Sequence, residues 1–359
     1  MTDTPTQRPP AEIRYADELN RLAADDDGPR PKGWRLSAAA VRRFVLGDPE
    51  RGIVMKYVGN PSLVDRAMVA LATQRALLLV GEPGTAKSLL SELLCAAICG
   101  DSTLVIQGGA ATTEDQIRYS WNYALLLNRG PTRESLVPAP LYTAMETGRI
   151  VRFEEITRCP QEVQDCLLSV LSDRVLAVPE LDDSPMLYAR EGFNLIATAN
   201  TRDRGVNEMS AALKRRLNFE TVFPIADRDT ELALVKQEAT RQLAAAGVPA
   251  PPEDDLLEVL VRTFRDLRGT GETGDTHRLS TVMSTAEAVG VAVALGVTGH
   301  FVRGRAPDAG DLLECMAGTA VKDDPEDLAR LRRYLDHVAA KRTGTLWRDL
   351  HAARTRLPS

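Results

Sequence analysis

Lys87 and Ser88 close the stretch Gly81-Glu82-Pro83-Gly84-Thr85-Ala86-Lys87-Ser88, which lies between an apolar run, 76–80, and an apolar-periodic segment, 89–99. Run, Gly/Pro turn and periodic segment read as buried strand, loop and helix, the layout of a phosphate-binding loop. Gly81 and Gly84 let the backbone curl so that successive N–H groups face inward, and the helix N-terminus adds positive potential. Lys87 would reach the β- and γ-phosphates of a nucleoside triphosphate, and the Ser88 hydroxyl would serve Mg²⁺. The candidate nucleotide contacts are therefore Gly81, Glu82, Pro83, Gly84, Thr85, Ala86, Lys87, Ser88 and the following Leu89. One position departs from G-x-x-x-x-G-K-[ST]: Ala86 stands where the last Gly is expected. Ala suits the first turn of a helix, so the loop is expected to keep its shape.

Two further groups could share that chemistry. Residues 150–155 read as a mostly apolar strand ending in Glu154 and Glu155, and residues 193–200 as a strand ending in Asn200. In open parallel sheets, ligands bind beyond the carboxyl ends of the strands, so these residues converge with Lys87 and Ser88 on one crevice. Arg152, inside the strand before the carboxylates, has no role that the sequence alone explains.

The elements that must position these groups follow from the wider pattern. At 359 residues there is room for two to three domains, and 44% hydrophobic with 26% charged residues is a globular composition. A net charge of −6 argues against a wholesale basic nucleic-acid binder. No apolar run approaches the roughly 18–20 residues of a membrane span, and residues 1–10 show no signal-peptide core, so a cytoplasmic protein is expected. The five cysteines form no C-x-x-C pair. Cys95 and Cys99 read as small buried hydrophobes, and the four histidines suggest no metal cluster.

Residues 1–33, rich in Pro, Asp and Arg, read as a mobile arm with one short helix around 11–23. Residues 34–60 form a helical extension. Ser62 is expected to cap the next helix and Thr112 a later one. Strands are expected at 76–80, 103–107, 150–155, 193–200 and 219–223. Residues 119–139 interrupt the helical layer as an inserted hairpin or loop. Two short β-type runs within 174–190, joined by Asp182, Asp183, Ser184 and Pro185, read as a second hairpin. From 227 to 359 the periodicity is helical, with segments at 230–245, 254–267, 278–295, 309–321 and 324–353. Strands alternating with helices make an α/β layer with a mostly parallel sheet.

With these residues in hand the chain resembles an AAA+ ATPase, most closely of the MoxR type, over residues 50–320. The resemblance rests on GEPGTAKS (81–88), RFEEITR (152–158), ATAN (197–200), ALKRR (212–216) and THR (276–278). It implies a P-loop NTPase αβα core, 61–226, with a five-stranded sheet, and a C-terminal all-helical lid, 227–359. The hairpins resemble the helix-2 and pre-sensor inserts of that group. It further implies ATP as substrate, Mg²⁺ held by Ser88 and Glu154, and Glu155 as the base that polarises the attacking water. An Asp is usual where Glu154 stands; since Mg²⁺ keeps several waters, a longer carboxylate can act through one. Asn200 resembles the sensor amide beside Glu155. Arg216, with Arg215 as second choice, resembles the finger that enters a neighbouring subunit's site. Arg278 resembles the lid sensor, and is expected in the first turn of a helix capped near Asp275 and Thr276, where a cation opposes the dipole unless an anion is close.

The implied assembly is a hexameric ring that remodels a protein, with a von Willebrand factor A-type partner or its client. The rival reading is a nucleic-acid motor. Such motors carry a basic pre-sensor hairpin, whereas here Glu180, Asp182 and Asp183 make it acidic; the other insert carries Arg118, Arg129 and Arg133. A third reading is a nucleotide-gated scaffold with little activity alone. Trp121 and Tyr123 either grip a client or pack their own hairpin.

Overall fold

Leu77, Leu78 and Leu79 are all fully buried, and consecutive strand residues face opposite ways, so both faces of their strand must be covered. The computed structural model describes residues 7–73, 75–182, 185–200, 207–322 and 324–357. Its strands are β1 (Ala76–Gly81), β2 (Val105–Gln107), β3 (Tyr119–Trp121), β4 (Leu136–Pro138), β5 (Ile150–Glu154), β6 (Val175–Ala177), β7 (Met186–Tyr188), β8 (Asn194–Asn200) and β9 (Leu217–Val222). Five of them form one sheet, β2-β5-β8-β1-β9, with every neighbouring pair parallel. Leu77, Leu79 and Ile196 join one apolar core with helices Ala38–Leu46, Pro61–Ala72 and Lys87–Cys99. Leu78, Phe153 and Ala197 join a second core on the opposite face with helix Pro140–Thr147. The fold class is thus the expected α/β sandwich with a P-loop.

Two compact units result, Met1–Glu82 with Ala86–Val222, and Pro83–Thr85 with Phe223–Ser359. In the second unit, helices Arg228–Ala245, Asp254–Arg268, Thr285–Val297, Ala309–Ala320, Pro325–His337 and Thr345–Ala352 surround one apolar core. Glu231 is buried there and accepts from Arg265, Arg268 and Thr285, so its charge is paired and hydrogen-bonded.

Several elements differ from expectation for local reasons. The described part of the 1–33 segment is packed rather than free. Helices Ala11–Arg14 and Ala16–Ala24 bury Ala11, Leu19 and Leu22 in the first core, and Glu18 accepts from the buried Lys56 ammonium at 2.6 Å. Asn60, not Ser62, caps helix Pro61–Ala72, because Pro61 takes the first helical position. Thr113, not Thr112, forms a capping box with Gln116. The first insert is a β3–β4 antiparallel pair with helix Tyr123–Arg129 between its strands. The second is the expected hairpin, β6 paired antiparallel to β7; Asp183 and Ser184 in its connection lie outside the described residues. The expected 324–353 helix is divided into Pro325–His337, the turn Ala339–Lys341 and Thr345–Ala352.

The helix expected to begin at 278 starts instead at Thr285, where Ser284 and Glu287 form a capping box. It runs without a break through a π turn to Arg303, 19 residues of mean hydropathy 1.4, long and apolar enough to cross a membrane by length and composition alone. Its Ala288, Val291, Ala292 and Leu295 lie in the apolar core of the second unit.

Candidate nucleotide site

β1 delivers the chain into the loop at Gly81, Gly84 turns it with a φ of 76°, and helix Lys87–Cys99 begins immediately after Ala86. Ala86 does not occupy the first helical turn as expected. It is the N-cap, at φ 65° and ψ 24°, a left-handed conformation that costs a Cβ-bearing residue roughly 1–2 kcal/mol. The missing motif Gly therefore has a physical consequence: the loop keeps its curl under strain. Lys87 is buried, and its ammonium donates to the carbonyls of Gly81 (3.1 Å) and Glu82 (2.7 Å), inside the curl of the loop.

At the second residue of the same helix, the Ser88 hydroxyl donates to Glu154 Oε2 at 2.6 Å. Thr198 of β8 donates to that oxygen at 2.8 Å, while Arg152 Nη2 and the Ser91 hydroxyl meet Oε1 at 2.7 and 2.9 Å. Burial alone would raise the Glu154 pKa; the bonds from Ser88, Thr198 and Ser91 and the Arg152 charge outweigh it and hold the carboxyl below its ordinary value. Glu154 is thus an anion aimed at the motif serine. Two hard oxygens, Ser88 Oγ and Glu154 Oε2, fit Mg²⁺, which takes its other ligands from phosphate and water. Among the described residues no cluster of three or more His, Cys, Asp or Glu side chains could hold a metal alone.

Glu155 follows with a φ of 55°, also left-handed. Its N–H donates to Thr198 Oγ1 at 3.0 Å, and its carboxylate pairs with Arg158 at 3.0 Å. The twist lets two successive carboxylates leave the strand end in different directions. Gly108 makes room for it: a Cβ there would stand 2.4 Å from the Glu155 carbonyl oxygen. Asn200 ends β8 directly opposite Gly81 in the β1–β8 register. A cavity of about 470 Å³ opens here, lined by Ser88, Gln107, Arg152, Glu154, Glu155 and, from the N-terminal segment, Arg8. Sequence reading missed Thr198, Ser91, Gly108 and Arg158. Thr198 was readable, since it lies two residues before Asn200 in the same strand.

Residues 76–217 match the family model for the AAA domain of the dynein-related subfamily, and residues 229–358 match that for the YehL-like AAA+ ATPase C-terminal domain. The uncharacterized protein YehL of Escherichia coli K12 is 61% identical over 354 residues, 98% of each chain. This chain is a YehL-like AAA+ ATPase. The gas vesicle ATPase GvpN2 of Halobacterium salinarum is 25% identical over 92% of this chain and 91% of its own. Among solved structures, NtrX of Brucella abortus in complex with ADP superposes with a TM-score of 0.52 at 14% identity, over 83% of this chain and 64% of that one, a likeness of fold alone.

The remaining predicted residues of this AAA+ ATPase are Arg215, Arg216 and Arg278. Arg215 and Arg216 follow the short helix Ala211–Lys214. Arg215 is exposed, whereas Arg216 is half-buried and donates to the Ala212 carbonyl (2.7 Å) and to Ser172. Arg278 belongs to the second unit. It follows a short 3₁₀ turn, Gly274–His277, and pairs with Asp275 at 3.3 Å. The dipole argument for it fails, because no helix begins there.

Proposed function

We propose that this chain works as a ring-forming ATPase of the MoxR type, a remodeller or activator of a partner protein. Lys87 and the loop amides bind the phosphates. Ser88 and Glu154 would hold Mg²⁺, which neutralises charge on the β- and γ-phosphates when bound. Glu155 polarises the attacking water, and Asn200 orients it. Arg215 or Arg216 serves a neighbouring subunit of a hexameric ring. The exposure of Arg215 and the internal bonds of Arg216 favour Arg215, reversing the order read from sequence. Arg278 keeps its sensor role by resemblance alone. The similarity to GvpN2 over nearly the whole of both chains supports the MoxR-type placement.

One observation carries the protein-client reading: the arginines of the first insert are matched by carboxylates. Arg118 pairs with Glu114, Arg129 with Glu134 and Arg133 with Glu146. On the second insert Glu180 accepts from Tyr119. A surface so balanced has little to offer a phosphate backbone. The first insert exposes Tyr123 and Leu127, one turn apart on helix Tyr123–Arg129, while Trp121 stacks edge-on with Tyr119 in its own hairpin. Tyr123, not Trp121, is therefore the client-facing aromatic, and a von Willebrand factor A-type protein is the partner class the MoxR resemblance implies. The test is ATP hydrolysis with and without single- and double-stranded DNA at low and moderate salt. The reading expects no stimulation. Stimulation that falls steeply with salt would move the protein to the nucleic-acid motors.

A further inference from the structure

Arg152 is the side chain that phosphate-loop chemistry leaves without a task. It lies in β5, the strand between β2 and β8, with its side chain 10% exposed. Side chains alternate along a strand, so Arg152 and Glu154, two residues apart, share a face and can meet. The guanidinium uses its whole fork. Nε donates to Ser91 Oγ (2.9 Å), Nη1 to the Ser102 carbonyl (3.1 Å), and Nη2 to the Ser88 carbonyl (3.1 Å) and Glu154 Oε1 (2.7 Å). Ser102 is itself held by Glu12, whose carboxylate accepts from its N–H (3.2 Å) and hydroxyl (2.7 Å).

The two oxygens of Glu154 consequently have different partners. Oε1 is occupied by Arg152 and Ser91, and Oε2 is turned toward Ser88 and Thr198. A glutamate has one more rotatable bond than the aspartate usual at this position, so its carboxylate needs to be fixed from the side. We propose that Arg152 is a positioning residue for the metal side of the site: it pins Glu154 Oε1 and the Ser88 backbone together, presenting Oε2 and Ser88 Oγ as a preset pair of Mg²⁺ ligands. The inference rests on the ATPase reading and adds a residue to it.

Charge and position pull in opposite directions. A guanidinium beside the carboxylate reduces its attraction for a cation, while fixing the carboxylate favours binding. Position prevails because the same Nη2 bonds both Glu154 and Ser88, so one group sets both ligands. Partners that orient a metal's ligands are typically worth about 10–100-fold in metal affinity.

The experiment is binding of a fluorescent ATP analogue to the full chain, in EDTA and across a Mg²⁺ titration, for wild type, Arg152→Gln and Arg152→Lys. Affinity in EDTA should change less than about twofold. The Mg²⁺ concentration giving half of the metal-dependent gain should rise about 10-fold or more in Arg152→Gln. Arg152→Lys keeps a donor but loses the fork, so a smaller rise is expected; it carries the test alone if the Gln variant does not fold. An unchanged or lowered Mg²⁺ midpoint overturns the proposal, as does equal weakening with and without Mg²⁺, the mark of a purely structural arginine. A wild-type chain that binds no nucleotide under either condition overturns the ATPase reading beneath it.

Discussion

At the scale of single residues, the site separates binding from turnover. Lys87 donates into the loop and Glu155 stands at the strand end, so their substitutions should fail differently. Lys87→Ala should abolish binding of an ATP analogue. Glu155→Gln should bind normally and lose about 10²–10⁴ of the hydrolysis rate. A Gln variant with ordinary turnover sinks the base assignment. Ala86 gives a second prediction, because its left-handed backbone is strained and Gly is not. Part of the relief is offset by the greater freedom of Gly in the unfolded chain, so Ala86→Gly should stabilise by about 0.5–1 kcal/mol. A thermal melt shifted downward would contradict it. Lys87, Ser88 and the paired carboxylates were legible in sequence because a motif names both residue type and spacing. The strain at Ala86 was not, since the motif does not say which side of the helix start its sixth position lies on. Arg152 was visible as an anomaly, but its partners come from three separate segments.

At the scale of elements, periodicity located the strands and most helices, while caps and breaks were misread where two signals competed. Ser284-Thr285-Ala286-Glu287 is a capping box in plain sequence, yet Asp275 and Thr276 drew the expected start upstream. The loop before that helix is anchored from elsewhere. Asp327, its side chain fully buried, accepts from the N–H groups of Ser280 (2.9 Å) and Thr281 (3.1 Å) and from Arg330 (2.7 Å). Burial raises its pKa, but the bonds from Ser280, Thr281 and Arg330 together bring the net value below the ordinary one. A carboxyl lowered in the folded state stabilises above its unfolded pKa, about 3.9, and loses that contribution as pH falls through the lower native value. Asp327→Ala should therefore cost about 2–3 kcal/mol at pH 7, and the gap to wild type should narrow below about pH 4. Urea unfolding at pH 7 and pH 3 measures it; a gap independent of pH would refute the assignment.

At the scale of the whole molecule, the family and both kinds of domain follow from sequence, while assembly and client do not, because a single chain carries only one side of either contact. The finger is the part of the proposed mechanism that needs a second subunit. Mixing wild type with an Arg215→Ala variant should lower activity more steeply than in proportion to the variant fraction, with Arg216→Ala weaker; simple proportionality would remove the shared-site role. More direct still is steady-state ATP hydrolysis against protein concentration, with molecular mass measured on the same samples. The ring account predicts specific activity that rises as the mass grows from monomer to a large assembly. Full activity in a population that stays monomeric would contradict it.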